Sequence, residues 1–341
     1  MLDFGVTFLP DPPSRRFVER IVRAEELGFT HGWTYDSHIL WQEGYVFLTQ
    51  AVMATSRIHL GHCVTNPGIR EPTVTASAYA TLQGISGGRM EMGIGRGDSS
   101  RRVVGLDPVP VARFEQSLEM IKDLMNGREV EWNGKTLELT WAHGQPEIPM
   151  HVAGYGPRAL GVAGRVGDGV IIQLADPEIT SWIIERARAA AMAAGRDADA
   201  LAPIVCAPAV VDADLARWRE ETRWFPAMVS NHVKDLIARY GTDGEIPTAL
   251  TEFALAVQEY DYSEHSRVGA SHGQYISDEI CDRFCLLGDA DQQIARLREL
   301  EQLGVKQVNL YLMTSELDET MERYGREIIP EFQASTIGGR A

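Results

Sequence analysis

Ionisable and polar residues follow four short apolar runs near the start of the sequence. The runs with their tips are Phe4–Leu9, Gly32–His38, Ile58–Asn66 and Arg89–Asp98, and a helix-like stretch follows each of them. Repetition of strand, polar tip and helix is how a (β/α)8 barrel assembles an active site at the carboxyl ends of its strands. The pattern therefore predicts an enzyme.

One of these tips carries a group that can move protons. His38 ends the second run, two residues after Asp36, and a histidine titrates near neutrality, so it can give or take a proton in a transition state. A surface or capping histidine is the alternative, and placement at a strand tip favours the catalytic interpretation. Cys63, at the third tip, is expected to be a packing cysteine, because the sequence fixes no base beside it.

Two glycine-rich tips indicate close approach of the backbone to a ligand. In Gly93–Asp98 the third glycine comes one residue too early for the dinucleotide fingerprint, so a Rossmann site is not predicted. The glycines would instead let the backbone approach a flat ring. Gly154, Tyr155 and Gly156 precede Pro157 at a predicted helix start, where free amides attract phosphate, although a plain strand-to-helix turn would look similar.

Strand and helix patterns alternate along most of the chain. Strands are predicted at Asp3–Leu9, His31–Tyr35, Ile58–Val64, Met90–Ile94, Met150–Ala153, Gly169–Leu174, Ile204–Val211 and Gln307–Met313. Helices are predicted at Ser14–Leu27, Tyr45–Ala54, Pro72–Ile85, Val111–Met125, Pro157–Val166, Ser181–Ala194, Asp289–Leu303 and Glu316–Phe332. This order favours an α/β fold with parallel strands, a (β/α)8 TIM barrel, over residues 1–341 as one domain. Asn133-Gly134 predicts a hairpin within Glu129–Leu139.

Residues 215–277 depart from the alternation and form a predicted helical insertion after a late strand. Its helical stretches are Leu215–Trp224, Asn231–Tyr240 and Thr248–Tyr260. A long insertion at this place is a natural lid or dimer element. Its ring-bearing side chains either line a substrate mouth or pack the inserted helices, and packing is favoured for most of them; they are Trp218, Trp224, Phe225, His232, Tyr260 and Tyr262.

Composition excludes several classes of function. A net charge of −16 over 341 residues argues against non-specific nucleic-acid binding, and no apolar run approaches the length of a membrane helix. No secretory signal is visible, so a cytoplasmic protein is expected. The four cysteines are scattered; Cys281 and Cys285 share a helical spacing but lack a matching pair, so no metal site is predicted.

Six stretches in order carry a family resemblance. They are Arg23–Phe29, Asp36–His38, Leu60–Pro67, Gly88–Gly95, Ala153–Pro157 and Ala163–Gly169. Over nearly its whole length the chain resembles the bacterial-luciferase-like superfamily of flavin and deazaflavin oxidoreductases. The coenzyme F420-dependent branch of that superfamily is the most similar.

The resemblance implies a set of site residues. A cis peptide bond between Cys63 and Val64 would form a bulge that supports the central ring. His38 would be the catalytic histidine, and Asp98 would supply a polar contact or proton exchange at the reacting centre. Further cofactor contacts would come from Ser37, Asn66, the amides of Gly154, Tyr155 and Gly156, and Gln173. Several deazaflavin relatives carry an aspartate where this chain has Ser37, which leaves the role of the neighbouring His38 open.

The resemblance also implies the chemistry. The leading hypothesis is an F420-dependent oxidoreductase that moves a hydride between the deazaflavin and a small organic substrate. The alternative is a monooxygenase that uses reduced FMN and O2 on the same fold, and a third hypothesis is a cofactor-free binding protein. The acidic F420 tail would need basic residues near the mouth, for which the candidates are Arg96, Arg101, Arg102 and Arg158. A homodimer is expected from the resemblance alone.

Overall fold

A closed barrel of parallel strands forms the body of the protein. The computed structural model describes residues 1–240, 251, 254–255, 260–261 and 264–333. The barrel strands in these ranges are β1 (Asp3–Phe8), β2 (His31–Thr34), β3 (His59–His62), β4 (Met92–Ile94), β7 (Met150–Ala153), β8 (Gly169–Ile172), β9 (Ala202–Val211) and β11 (Gln307–Tyr311). The predicted TIM barrel is confirmed.

The strands follow the order β3-β2-β1-β11-β9-β8-β7-β4, and every ladder between neighbours is parallel. The ring closes between β3 and β4 through two isolated bridges, Leu60 to Met90 and Thr65 to Ile94. Because the strands are parallel, all their carboxyl ends lie at one mouth of the barrel and all their amino ends at the other.

Helices surround the strands, and their starts follow from local sequence. They are α1 (Ser14–Glu26), α2 (Gly44–Ala54), α3 (Pro72–Ser86), α4 (Ser99–Arg102), α5 (Val111–Met125), α6 (Pro157–Val166), α7 (Pro177–Ala193), α8 (Leu215–Thr222), α9 (Trp224–Tyr240), α10 (Asp278–Phe284), α11 (Ala290–Gln302), α12 (Leu317–Arg323) and α13 (Ile329–Gln333). Helix α7 begins before the predicted Ser181, because Asp176 caps it with a bond from Ile179 N of 2.9 Å and Pro177 suits its first turn.

Two smaller strand pairings decorate the barrel. Strands β5 (Val130–Trp132) and β6 (Lys135–Leu137) form the predicted hairpin, and Asn133 and Gly134 both have positive φ at its turn, as such two-residue turns require. Strand β10 (Leu286–Gly288) pairs with the carboxyl half of β9 and was not predicted. Three residues between two helical segments are too short a run for a strand pattern to be recognised.

The predicted insertion follows β9, at the mouth where the strands end. It contains α8, α9 and a short 3-10 turn at Ser271–Tyr275, and α9 begins at Trp224, earlier than the predicted Asn231. Most of the predicted helix Thr248–Tyr260, together with Tyr262, lies outside the described residues. None of the helices described is both long enough and apolar enough to span a bilayer.

Candidate active site

The carboxyl ends of the barrel strands enclose one large cavity. Its volume is about 1190 Å³ counted out to the open mouth, which is ample for a small-molecule or cofactor site. The chain just after β2, β3, β4, β7 and β8 lines the cavity, as do the start of α6 and parts of the insertion. The expected convergence of several strand ends on one pocket is therefore present.

Most of the residues selected from the sequence line this cavity. Those that do are Ser37, Cys63, Val64, Asn66, Asp98, Gly154, Tyr155, Gly156 and Gln173. His38 does not. The chain turns directly after Ser37, whose carbonyl accepts bonds from the amides of Leu40 and Trp41, both 3.0 Å long. This turn carries His38 to an exposed position, outside the set of residues that line the cavity.

Ser37 and Asp36 line the cavity and carry buried polar atoms. The Ser37 hydroxyl has no hydrogen-bond partner within the described residues. The Asp36 side chain is fully buried; its Oδ2 accepts from Thr65 Oγ1 and from Arg70 Nη1, each at 2.7 Å, whereas its Oδ1 has no partner in the described part of the chain. Buried polar atoms without a partner are uncommon in proteins, so two of them in adjacent residues of one cavity favour a polar ligand there.

Asp98 and His232 approach each other on the cavity wall. His232 Nε2 lies 3.1 Å from Asp98 Oδ2, and Arg102 Nε donates to Asp98 Oδ1 at 2.6 Å. Burial acts to raise the pKa of Asp98, but the charge and hydrogen bond of His232, together with Arg102, outweigh it and hold that pKa well below its usual range. Asp98 is therefore ionised, so it can orient His232 but cannot itself donate a proton.

A backbone bulge forms the floor of the cavity. The peptide bond between Cys63 and Val64 is cis, which confirms the expectation drawn from the family resemblance. The next residue, Thr65, bonds to β4 on both sides, through Thr65 N to Gly93 O and Gly95 N to Thr65 O, each 2.9 Å. The Val64 side chain and the bare backbone of Gly95 thus lie side by side on the cavity wall, which leaves a flat apolar surface.

Asn66 follows the bulge, and its side chain is hydrogen-bonded to other residues of the protein. Its Nδ2 donates to Ser100 Oγ at 2.9 Å, and its Oδ1 accepts from Gly68 N at 3.0 Å. An amide nitrogen carries a second proton and an amide oxygen a second lone pair, so Asn66 retains capacity for a ligand while its orientation is fixed.

A chain of polar contacts forms the back wall. Tyr155 OH donates to Gln173 Oε1 at 3.2 Å, and Gln173 Nε2 donates to Tyr311 OH at 3.0 Å. Cys63 Sγ lies 3.7 Å from both Tyr311 OH and Cys206 Sγ. Burial raises the pKa of Tyr311 and of Tyr155, so both phenols stay protonated. These contacts fit the expectation that Cys63 packs rather than attacks.

The amino end of α6 closes another side of the cavity. Gly156 precedes Pro157 as the N-cap, and a Cβ at Gly154 would lie 2.7 Å from Ala159 Cβ, so the tight turn requires glycine there. Arg158 and Arg96 line the cavity nearby. Backbone amides at a helix start, beside arginines, favour an anionic group.

Arg101 and Arg102, which were also candidates for contact with the acidic tail, are bonded to other parts of the protein. Arg101 donates to the carbonyls of Gly68 and Asp107, and Arg102 is paired with Asp98. Neither side chain lines the cavity. Arg101 and Arg102 therefore hold the loop after β4 in place.

A family model described as luciferase-like monooxygenase matches residues 3–307 of the sequence. The chain belongs to the luciferase-like monooxygenase family. It is 30% identical over 339 residues to the 5,10-methylenetetrahydromethanopterin reductase of Archaeoglobus fulgidus, which covers 97% of this chain and 100% of that protein. It is 24% identical to the F420-dependent glucose-6-phosphate dehydrogenase of Amycolatopsis mediterranei, over 94% of this chain and 95% of that one.

The fold comparison agrees. The structure of the coenzyme F420 dependent tetrahydromethanopterin reductase from Methanopyrus kandleri superposes with a TM-score of 0.75 at 25% identity, and the match covers 97% of this chain and 99% of that one. The barrel of this luciferase-like protein thus follows the architecture of a solved relative.

The insertion of this family member supplies part of the cavity wall. Met228 and His232 on α9 line it, and so does His265. Burial lowers the pKa of His265 to about 4, and its Nδ1 lies 2.6 Å from Tyr260 OH. By contrast, Trp218, Trp224 and Phe225 are buried in packing, as favoured from the sequence.

Some residues of the site carried no sequence signal. Met228 and His265 reach the cavity from a segment without periodic pattern, and only the fold shows that they face it. Ser99 and Ser100 could have been found, because they directly follow the polar tip at Asp98. Asp36 also lines the cavity, and its carboxylate is held by Arg70.

Proposed function

We propose that this protein is an oxidoreductase that binds coenzyme F420 in the strand-end cavity and transfers a hydride between the deazaflavin and a small organic substrate. The observation that carries the proposal is the similarity to the coenzyme F420 dependent reductase from Methanopyrus kandleri, which extends over 97% of this chain. The barrel also opens into one large cavity. Bound there, the deazaflavin would supply a ring carbon that accepts or gives the hydride.

The cavity fits such a cofactor in its apolar and polar parts. Val64 and Gly95 offer a flat surface for a ring. The unpartnered Ser37 hydroxyl and Asp36 Oδ1 would gain partners from the polar edge of the ring or from the substrate. Satisfying buried polar atoms of this kind is worth about 1–3 kcal/mol each.

The anionic part of the cofactor would lie at the other side. The turn Gly154–Gly156 and the first residues of α6 would hold a phosphate, and Arg96 and Arg158 would face the acidic tail. An overall charge of −16 would otherwise repel so acidic a molecule, so this local positive region is needed for binding.

His232 would handle the proton of the reaction. It lies inside the cavity and is oriented by Asp98, whereas His38 lies outside it. An imidazole held in place inside a cavity can act as a general acid or base toward a bound substrate. We therefore transfer the role first expected for His38 to His232 and assign Asp98 a positioning role.

The insertion, residues 215–277, would act as the lid side of the cavity. Its described residues Met228, His232 and His265 already line the pocket. Exclusion of water strengthens electrostatic contacts and protects a hydride-transfer centre from side reactions.

Comparison of two cofactors tests the proposal. F420 and FMN are titrated into the purified protein under the same conditions, and oxygen uptake is measured with reduced FMN. We expect tighter binding of F420 and no oxygen uptake above the enzyme-free rate. Tighter binding of FMN together with oxygen uptake would establish the alternative monooxygenase instead.

A pair of adjacent variants tests the site. Ser37→Ala removes the buried hydroxyl and is expected to weaken F420 binding about tenfold, whereas His38→Ala, its matched control, should leave binding and turnover unchanged. His232→Asn should lower turnover by about 100-fold with little change in F420 affinity. Normal turnover in His232→Asn, or its loss in His38→Ala, would refute the assignment.

A further inference from the structure

A second polar cluster lies at the opposite mouth of the barrel. His31 begins β2, His59 begins β3, Glu91 directly precedes β4, and His151 is the second residue of β7. Because the strands are parallel, these positions lie at the amino-terminal mouth, away from the cofactor cavity. Residues at that end serve stability in barrels of this kind, and the proposed oxidoreductase chemistry uses none of them.

The ligand atoms in the cluster lie at the spacing of a metal site. Glu91 Oε1 is 3.2 Å from His31 Nε2 and 3.1 Å from His59 Nδ1, and the three ligand atoms all lie within 4.8 Å of one another. Ligand atoms around a tetrahedral zinc ion, with bonds of about 2.0–2.1 Å, are separated by about 3.3 Å. Two of the edges therefore already have the required length.

The contact between His59 and Glu91 is not an ordinary hydrogen bond. His59 Nδ1 is shielded from solvent and, despite its short distance to Glu91 Oε1, has no hydrogen-bond partner in the described part of the chain. Atoms that share a proton must point at each other, whereas two ligands of one ion point at a third position. The second arrangement accounts for the short distance without a bond.

The outer ring nitrogen of His31 is held by the protein. Thr30 Oγ1 donates its proton to Phe4 O at 3.1 Å, so its contact with His31 Nδ1 at 2.8 Å requires the histidine to donate. Metal-ligating histidines typically donate their second ring nitrogen in this way. The inner nitrogen, Nε2, is hydrogen-bonded to Glu91 Oε1 at 3.2 Å, and a bound cation would take the place of the shared proton.

The Glu91 carboxylate is held in position by a third histidine, His151. His151 Nε2 lies 2.8 Å from Glu91 Oε2, which fixes the carboxylate from the side away from the other two histidines. The carboxylate is thereby oriented so that its other oxygen, Oε1, lies toward His31 and His59.

We propose that His31, His59 and Glu91 bind one Zn²⁺ ion, or a first-row divalent ion of similar preference, with His151 as the positioning residue for Glu91. Two histidines and one carboxylate with a fourth position left for water form a known zinc-binding set. His59, whose side chain is 43% exposed, gives the ion a path from solvent.

A bound ion would link β3 and β4, the neighbouring barrel strands that are paired through isolated bridges and not through a ladder. β3 and β4 share only two isolated bridges among the described residues, and His59 and Glu91 sit at the amino end of these same strands. A bond from each strand to one ion would add to the two hydrogen bonds that Leu60 makes with Arg89 and Glu91 at this end. We therefore expect binding to raise the thermal midpoint and to leave the proposed activity unchanged.

Direct titration tests the site. The protein is stripped with a chelator, dialysed, and titrated with Zn²⁺ by calorimetry and with Co²⁺ by visible absorption. We expect one ion per chain and the strong d–d bands of tetrahedral Co²⁺. Trp33, whose ring is stacked 6.0 Å from His31, gives a second readout, because bound Co²⁺ should quench its fluorescence. Absence of binding at micromolar Zn²⁺ would overturn the proposal.

Variants separate a metal site from a hydrogen-bonded network. His59→Asn, at the most exposed ligand, should abolish the Co²⁺ bands while the chain still folds, and Glu91→Gln should do the same. His151→Gln should weaken binding by about 10–100-fold, as loss of an orienting partner does. His143→Asn, which removes an exposed histidine paired with Glu138, is the matched control and should bind like the wild type. Unaltered Zn²⁺ binding in His59→Asn and Glu91→Gln would place the ion elsewhere and refute the site.

Discussion

Acidification should destabilise this barrel through one buried histidine beneath the cofactor cavity. His62 ends β3 and is fully buried; burial lowers its pKa to about 4, from 6.5 in the unfolded chain. Its Nδ1 lies 2.9 Å from Tyr79 OH, which also accepts from the His62 amide at 3.2 Å, so the hydroxyl proton is directed to the ring. The ring must therefore be neutral in the fold.

The sign and size of the effect follow from linkage. Between the two pKa values the unfolded chain holds a proton that the folded chain lacks, so stability present above pH 6.5 is lost as the pH falls toward 4. Each pKa unit corresponds to about 1.4 kcal/mol, and the difference gives a loss of about 2 kcal/mol from this residue between about pH 7 and about pH 4.5.

Urea unfolding followed by circular dichroism measures this loss. The wild type and His62→Gln, whose amide oxygen can still accept from Tyr79, are compared at both pH values. The free energy of unfolding of the wild type should fall by about 2 kcal/mol more than that of the variant. His143→Gln, at an exposed position, should behave like the wild type. Equal losses in the wild type and His62→Gln would show that His62 is not the group responsible.

Two neighbouring glycines and one buried ion pair give further tests. A Cβ at Gly93 would lie 2.4 Å from the backbone oxygen of His62, so Gly93→Ala should cost about 1–3 kcal/mol in a thermal melt. A Cβ at Gly95 would lie 3.1 Å from Val64 Cγ2, the end of a side chain that can give by a few tenths of an ångström. Gly95→Ala should therefore melt closer to the wild type than Gly93→Ala does but bind F420 about tenfold more weakly, and the reverse pattern would contradict this arrangement of the floor. Arg70→Met leaves the buried Asp36 carboxylate without its cation and should cost about 3 kcal/mol, whereas Arg70→Lys should recover part of it; equal melts for all three proteins would refute the pairing.

Periodic features of the sequence were sufficient to predict the barrel. Alternation of short apolar runs with amphipathic stretches is dictated by local geometry, and therefore the strands, most helices and the hairpin at Asn133-Gly134 agree with the structure within a few residues. β10 was missed because its identity depends on pairing with β9 and not on its own three residues.

The candidate site was predictable where it follows the strand ends. The strand-tip segments that contain Ser37, Val64 and Asp98 were recognised from the pattern and the residues themselves from the family resemblance, and all three line one cavity. His38 was selected for its chemistry, but a turn of the backbone decides which of two adjacent side chains faces inward. His232 comes from an insertion far along the chain, and no spacing rule relates it to Asp98.

The sparse junction between β3 and β4 has a consequence for how the protein fails on heating. Every other pair of neighbouring barrel strands described shares a ladder of at least three residue pairs, whereas these two share isolated bridges. Local opening requires the least free energy where the fewest contacts break. The barrel should therefore part first along this line, directly below Val64, and release whatever the cavity holds before the rest of the ring separates.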